Sequence, residues 1–251
     1  MKHVSPLTSL PAVLAAFGLA AAAFGPATVK AQDSNTSTST GASASTHHHR
    51  SDAARDARDR VQDSVGIINQ MKQDPNLASL LERAKGVFII PHYGKGAFIV
   101  GGQGGGGVVL AHHGAMWSNP AFFSIGGGSI GAQAGGEGGS IVMLLMSQKA
   151  LNKFADSNST WALKGNAGLT VVTWSGKAQA ETGNGDVILW ANTSGLYGGL
   201  TASVTDISPD KDMNRAYYGH SVDARQILKG STLSAKAEPL RNALSTRVAS
   251  K

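Results

Sequence analysis

The chain has 251 residues, 41% of them hydrophobic and 15% charged, with a formal net charge of +6. That is enough apolar material for one sizeable core or two small ones. It contains no cysteine, which excludes disulfides, thiolate metal sites, cysteine nucleophiles and a lipid-modified N-terminal cysteine, so the compartment has to be read from the N-terminus.

There, Lys2 and His3 precede an apolar run from Ala12 to Gly25, Gly25-Pro26 breaks it, and Val29 and Ala31 stand three and one before Gln32. A basic start, a run too short to span a bilayer comfortably and small residues before a cut make residues 1–31 a secretory signal peptide, cleaved after Ala31. The expected location is the periplasm or cell envelope, or the extracellular space. An uncleaved anchor is the alternative, although the run is Ala-rich and no stop-transfer charges follow. Residues 32–50 are small and polar, unable to bury enough surface to order themselves, and read as a disordered linker. His47-His48-His49 at its end is a weak metal tract at most.

Order is expected from Ser51, an N-cap, as one domain over 51–251. Val61, Val65, Ile68 and Met71 recur at helical spacing, opposite a face of mixed charge from Arg55 to Asp63. The apolar face serves packing against a core or docking on a membrane surface. Pro75 ends this helix; Asn76–Lys85 is a second, with Leu77, Leu80, Leu81 and Ala84 inward and Gly86 as its stop. From Val87 the period changes. VFIIP, AFIVGG, GVVLAHH, SIVMLLM, LTVVTW, KAQAET, VILWAN and LYGGLTASV are short β-branched or aromatic runs punctuated by Gly, Asn and Ser. They predict an antiparallel sheet that curls or closes into a barrel. Internal helices follow Ser147 and Ser221, and a C-terminal helix over Glu238–Val248 has Pro239 in its first turn. The fold class is α+β, a Gly-rich antiparallel sheet or barrel-like core with N-terminal, internal and C-terminal helices.

Gly102, Gly104 and Gly107, and again Gly126, Gly128 and Gly131, have the spacing G-x-G-x-x-G. A dinucleotide fingerprint needs those glycines at a turn opening a helix, and a P-loop needs Gly-Lys-Ser or Gly-Lys-Thr at its end. GGQGGGG instead runs straight into VVLAHH. Gly127-Gly128-Ser129-Ile130-Gly131 matches a nucleophile elbow in form, but no helix pattern and no oxyanion segment accompany it, which leaves a Ser129 hydrolase as a remote alternative. Seventeen of the 32 glycines fall between Gly94 and Gly139, a local enrichment that marks strands closely approached by another backbone. Val100–Gln103 and Ile130–Gln133 are offset by thirty residues and suggest a duplicated hairpin.

Several blocks in order, AKGVFIIP at 84–91, KGAFIVGGQGGGGVV at 95–109, MWSNPAFFSIGGGSIGAQAGG at 116–136, then Asn214, YYG at 217–219 and Ile227-Leu228, resemble the SYLF domain over about residues 60–230. The resemblance implies a non-enzymatic domain that binds anionic membrane lipids, phosphoinositides in eukaryotic members, with an N-terminal amphipathic helix helping to reach the membrane. Actin binding is attributed to some yeast members. Thr193–Tyr197 stands where many members have Ser-Lys-Gly-Leu-Phe, and Thr173–Lys177 replaces their Gly-Pro-x-Gly-Arg turn.

Candidate lipid contacts are Lys85, Lys95, Arg225, Lys229, Lys236, Arg241 and Arg247, with Val61, Val65, Ile68 and Met71 as a candidate membrane-facing helix. Residues 225–251 carry six cations against the single acid Glu238, suited to an anionic surface at about 1 kcal/mol per well-placed charge; a solvated end is the alternative. A second envelope protein is the other partner class. Nucleic acid is not expected, because the aromatics do not interleave with the basic residues. His92, His112, His113 and His220 lack i, i+4 partners, so neither a metal nor a cofactor is expected. Glu137 has no second carboxylate near it in sequence for acid–base work. Trp117 is expected to pack.

Overall fold

The computed structural model describes residues 40–95, 103–127, 139–156, 160–163, 168–174, 185–192, 206–230 and 234–245. Among these, α1 (Thr40–Met71) and α2 (Pro75–Arg83) precede β1 (Gly86–Lys95), β2 (Gln103–His113), β3 (Met116–Trp117), β4 (Ala121–Gly127) and β5 (Gly139–Leu145). Then come α3 (Gln148–Asp156), β6 (Val171–Thr173), β7 (Val187–Ala191), β8 (Asp206–Pro209), α4 (Lys211–Tyr218), α5 (Ala224–Leu228) and α6 (Glu238–Leu244).

The sheet runs β6-β7-β5-β1-β2-β4-β8, with β3 attached to β2. It is curled, as the sequence leads one to expect, and the chain is α+β. One pair departs from the antiparallel expectation: β6 and β7 are parallel. A parallel pair needs a crossover of a dozen or so residues, and thirteen separate Thr173 from Val187. The runs AFIVGG, KAQAET and LYGGLTASV, the thirty-residue repeat at Ile130, and Ser129 and Glu137 lie outside the described residues.

Strands β1 and β5 are apolar at every position of VFII and IVMLL because helices cover both faces of the sheet. Successive strand residues point to opposite faces. Phe88, Ile90, Val109, Phe123 and Met143 therefore meet α3 and α5, where Phe154 stands edge-on to Phe88 and Phe123 at 5.2 and 5.4 Å. Val87, Ile89, Val108, Leu110 and Val142 meet α1, α2 and α6.

Helix α1 begins before Ser51, so residues 40–50 of the expected linker are helical. Ser, Thr and His each cost only about 0.5 kcal/mol relative to Ala, and extending a helix already nucleated downstream needs no second nucleus. Asp74 caps α2, accepting the Asn76 N–H at 2.9 Å, and its other oxygen accepts the Trp174 indole N–H at 3.2 Å. Ser147 caps α3 as expected, its Oγ accepting the Ala150 N–H at 3.1 Å. For α5 the cap is Asp223 rather than Ser221: its N–H donates to Gln226 Oε1 at 3.3 Å, half of a capping box. Helix α4, capped by Asp210 through the Met213 N–H, has no counterpart among the sequence expectations.

A bulge explains the glycines. Ile89 pairs with Val108 and His92 with Gly106, so β1 spends three steps where β2 spends two. Pro91, which has no N–H to give the ladder, sits in the extra step, and its carbonyl accepts the Ser140 hydroxyl at 2.7 Å. The bulge drops β1 carbonyls onto β2. A Cβ at Gly105 would lie 2.5 Å from the His92 carbonyl oxygen, and one at Gly107 would strike the Ile89 carbonyl and the Phe88 ring. The G-x-G-x-x-G stretch is thus extended strand from Gln103 onward, and at Gly105 and Gly107 only glycine fits beside the β1 backbone.

Candidate functional site

The sequence offered two surfaces, an amphipathic helix face and a set of cations, and the structure treats them differently. Val61, Ile68 and Met71 are buried under α1 against the sheet, and Val65 is partly buried beside them. The membrane-facing assignment of these four is therefore corrected to a packing face. Turning the three outward would forfeit about 2 kcal/mol of burial each and uncover the strands beneath. Helix α1 is also tied at its end: Lys72 Nζ donates to the carbonyls of Ala243 and Ser245 at 2.8 and 3.2 Å.

Three of the basic candidates serve the fold. Arg241 donates to Asn119 Oδ1 at 2.7 Å and to the Ser234 carbonyl at 3.1 Å, joining α6 to the segment before β4. Lys236 donates to the Tyr217 carbonyl at 3.4 Å and lies over its ring. Arg225 pairs with Asp156 at 2.8 Å. The Lys95 side chain and all of Arg247 lie outside the described residues.

Lys85 and Lys229 remain, both exposed, and the fold brings them to one end of the sheet. The Lys85 carbonyl accepts the His112 N–H at 2.9 Å, which fixes it beside the end of β2. His113 Nε2 donates to the Leu228 carbonyl at 2.6 Å, which fixes the C-terminus of α5, with Lys229 next in chain, on the same end. Between these contacts lies the β2–β3 hairpin, closed by Gly114 at φ 62° in the first of its two loop positions. Its cross-strand pairs are His112 with Trp117 and His113 with Met116. The first pair faces inward, Trp117 stacked on the His112 ring at 4.3 Å, as the packing role expected for this tryptophan requires. Alternation then sends Met116 outward, where it is 63% exposed, the one exposed large hydrophobic side chain among the described residues. Behind the hairpin lies a cavity of about 650 Å³ bounded by Leu81, Glu82, Trp117, Asn242 and Leu244. A second, of about 900 Å³, lies at the opposite end between α1 and β1, bordered by Val65, Ile67, Pro91 and the 2.9 Å pair of His92 with Asp63.

The other features that suggested chemistry are part of the frame. Asn214 is buried and clamps β4, accepting the Phe122 N–H at 2.9 Å and donating to its carbonyl at 3.2 Å. Tyr217 packs on Phe122, and burial pushes its phenol up to about 12; burial also raises Tyr218, whose hydroxyl donates to the Pro120 carbonyl at 2.7 Å. Gly219 ends α4 at φ 81°. The late Asn-x-x-Tyr-Tyr-Gly signature is thus a buttress for one strand. Among the described residues no group of three His, Asp or Glu stands ready to hold a metal, and no helix is long and apolar enough to cross a membrane.

Comparison with known proteins agrees with the signature. Residues 126–247 match the sequence model of the family described as Ysc84, Las17-binding protein actin regulator. An SH3 domain-containing protein of Schizosaccharomyces pombe is 30% identical over 178 residues, 68% of this chain and 41% of that protein. Protein YSC84 of Saccharomyces cerevisiae is 29% identical over 174 residues, 67% of this chain and 37% of that protein. The human SH3 domain-containing YSC84-like protein 1 is 28% identical over 168 residues, 65% of this chain and 48% of that protein. The chain thus matches less than half the length of each of these relatives. With the family model and these relatives in agreement, this chain carries a SYLF domain, the unit it shares with the Ysc84 family.

Proposed function

We propose that this chain is a non-enzymatic module that binds the anionic lipid surface of a bacterial cell envelope, reaching it as an exported protein cut after Ala31. The observation that supports the reading is the placement of Lys85 and Lys229, 144 residues apart in sequence, at one end of the sheet with both ammonium groups left to solvent. Arg241, Lys236 and Arg225 already have protein partners, the Arg225 pair an exposed one, whereas these two have none among the described residues to give up and gain by meeting anionic headgroups. Each well-placed charge contributes about 1 kcal/mol, so changing both to Gln should weaken binding by about 30-fold. The test is sedimentation with phosphatidylcholine vesicles, with and without phosphatidylglycerol, at low and high salt. Binding that needs the anionic lipid, fades toward 1 M salt as the Debye length falls to about 3 Å, and drops in the Lys85→Gln/Lys229→Gln variant supports the reading. A protein that ignores anionic vesicles at low salt overturns it.

A second reading is favoured by the family description as Las17-binding: a protein-interaction module of the envelope. It predicts capture of an envelope protein by a chain that ignores every vesicle.

A further inference from the structure

The β2–β3 hairpin presents three features at once. Met116 is exposed at its tip although the described residues bury almost every other large apolar side chain. The hairpin overhangs a cavity rather than resting on packed side chains, since Gly114 and Ala115 form part of that cavity's wall. It is flanked by Lys85 through His112 and by Lys229 through His113 and Leu228. An exposed thioether side chain with a free cation on either side matches one surface in particular: apolar beneath, anionic above.

We propose that the β2–β3 hairpin is a membrane anchor, in which Met116 enters the acyl boundary of an anionic bilayer while Lys85 and Lys229 hold the headgroups on either side. This rests on the lipid-surface reading above and names the part of the protein that makes the contact. The geometry suits the task. Trp117, 3% exposed and stacked on His112, fixes the base of the hairpin, and strand alternation then holds Met116 outward without any rearrangement. A basic and apolar tip of this kind combines a shallow apolar contact with electrostatic attraction, and each half is weak alone. The alternative docking element, the apolar face of α1, is already covered by the sheet.

The chain has no cysteine, so Met116→Cys gives a single attachment point for an environment-sensitive fluorophore, and Gln62→Cys, exposed on α1 beside the opposite cavity, gives a control. On phosphatidylglycerol-containing vesicles the label at 116 should brighten, shift to the blue and be quenched by lipids carrying a spin label in the upper acyl chain. The label at 62 should not change. Met116→Asp should weaken vesicle binding at least about tenfold, since the side chain would otherwise leave water, while its thermal midpoint stays that of the wild type because the site is exposed. If the wild type sediments with anionic vesicles yet the label at 116 stays silent, or Met116→Asp binds as well as the wild type, the anchor is overturned and the lipid-surface reading survives. A label that responds at 62 instead assigns the contact to α1. A wild type that binds no vesicle overturns both.

Discussion

The guanidinium of Arg60 occupies the place where a side chain at position 106 would begin, so α1 and β2 touch through an arginine head and a bare glycine Cα. Burial lowers the Arg60 pKa, opposed by Asp210 and Asp56, and its Nη1 is buried without a hydrogen-bond partner. Three neighbouring glycines therefore differ in what a methyl group would displace. At Gly105 and Gly107 the obstacle is β1 backbone, which cannot move; at Gly106 it is the far end of a flexible side chain. Gly105→Ala and Gly107→Ala should each cost about 2–4 kcal/mol. Gly106→Ala should cost about 1 kcal/mol, and less in an Arg60→Ala background. Urea denaturation of the three glycine variants, of Arg60→Ala and of its double with Gly106→Ala checks the order, and equal losses at 105 and 106 would contradict it.

Asn214 holds both backbone groups of Phe122. Asn214→Ala leaves a buried N–H and C=O of β4 without that partner, and should lower stability by about 2–3 kcal/mol. Amide exchange should show the Phe122 N–H losing protection before its neighbours in β2, a pattern that general loosening would not give.

Asp186 accepts the Ser147 hydroxyl at 2.6 Å and the Thr170 N–H at 2.9 Å, and these bonds, the Ser147 one foremost, hold its pKa below the usual carboxylate value. A depressed folded pKa contributes stability above the unfolded value and loses it as pH falls through the folded one. Asp186→Asn should thus be less stable than the wild type by about 1 kcal/mol or less above about pH 4. The gap should close on further acidification, as thermal midpoints across pH 2–7 would register.

Arg241 and Lys229 were alike in sequence as basic residues near the C-terminus, and the structure separates them. Arg241→Gln should lower stability by about 1–2 kcal/mol through its bonds to Asn119 and Ser234. Lys229→Gln should leave stability within about 0.5 kcal/mol and act on vesicle binding alone. Melting curves and sedimentation on the same two proteins should show this crossed pattern.

What the sequence made legible followed from periodicity. Leu77, Leu80, Leu81 and Ala84 are all buried as their spacing demanded, and the glycine-rich run is a strand at close approach because no helix opens after it. The partner of an apolar face has no local signal, so the spacing of Val61, Ile68 and Met71 leaves a membrane face open beside the ordinary reading as the underside of α1. Helix α4 has almost no hydropathy signature because, of its eight residues, only Tyr217 is a buried apolar side chain; its one local signal is Asp210, a cap ahead of Lys211. The parallel β6–β7 pair depends on a crossover, and hydropathy carries no strand direction. Lys85 and Lys229 were picked out singly. Their convergence needs the contacts of His112 with the Lys85 carbonyl and of His113 with the Leu228 carbonyl, which join distant parts of the chain, the second across 115 positions.

The link from Lys72 to the last turn of α6 spans 171 residues. Its two acceptors, Ala243 and Ser245, are among the last described residues to be synthesised, while its donor is among the first. In a chain made or translocated N-terminus first, α1 therefore appears early and is fastened late. Strand β1, which carries the bulge, is paired on one side by β5, and β4, on the far side of β2, is paired by β8, so the surface that receives α1 is completed only by strands from the later half of the sequence. The cover over Val61, Ile68 and Met71 is consequently complete only when both ends of the described chain are present, and a chain stopped short of β5 or α6 would leave part of that apolar face open.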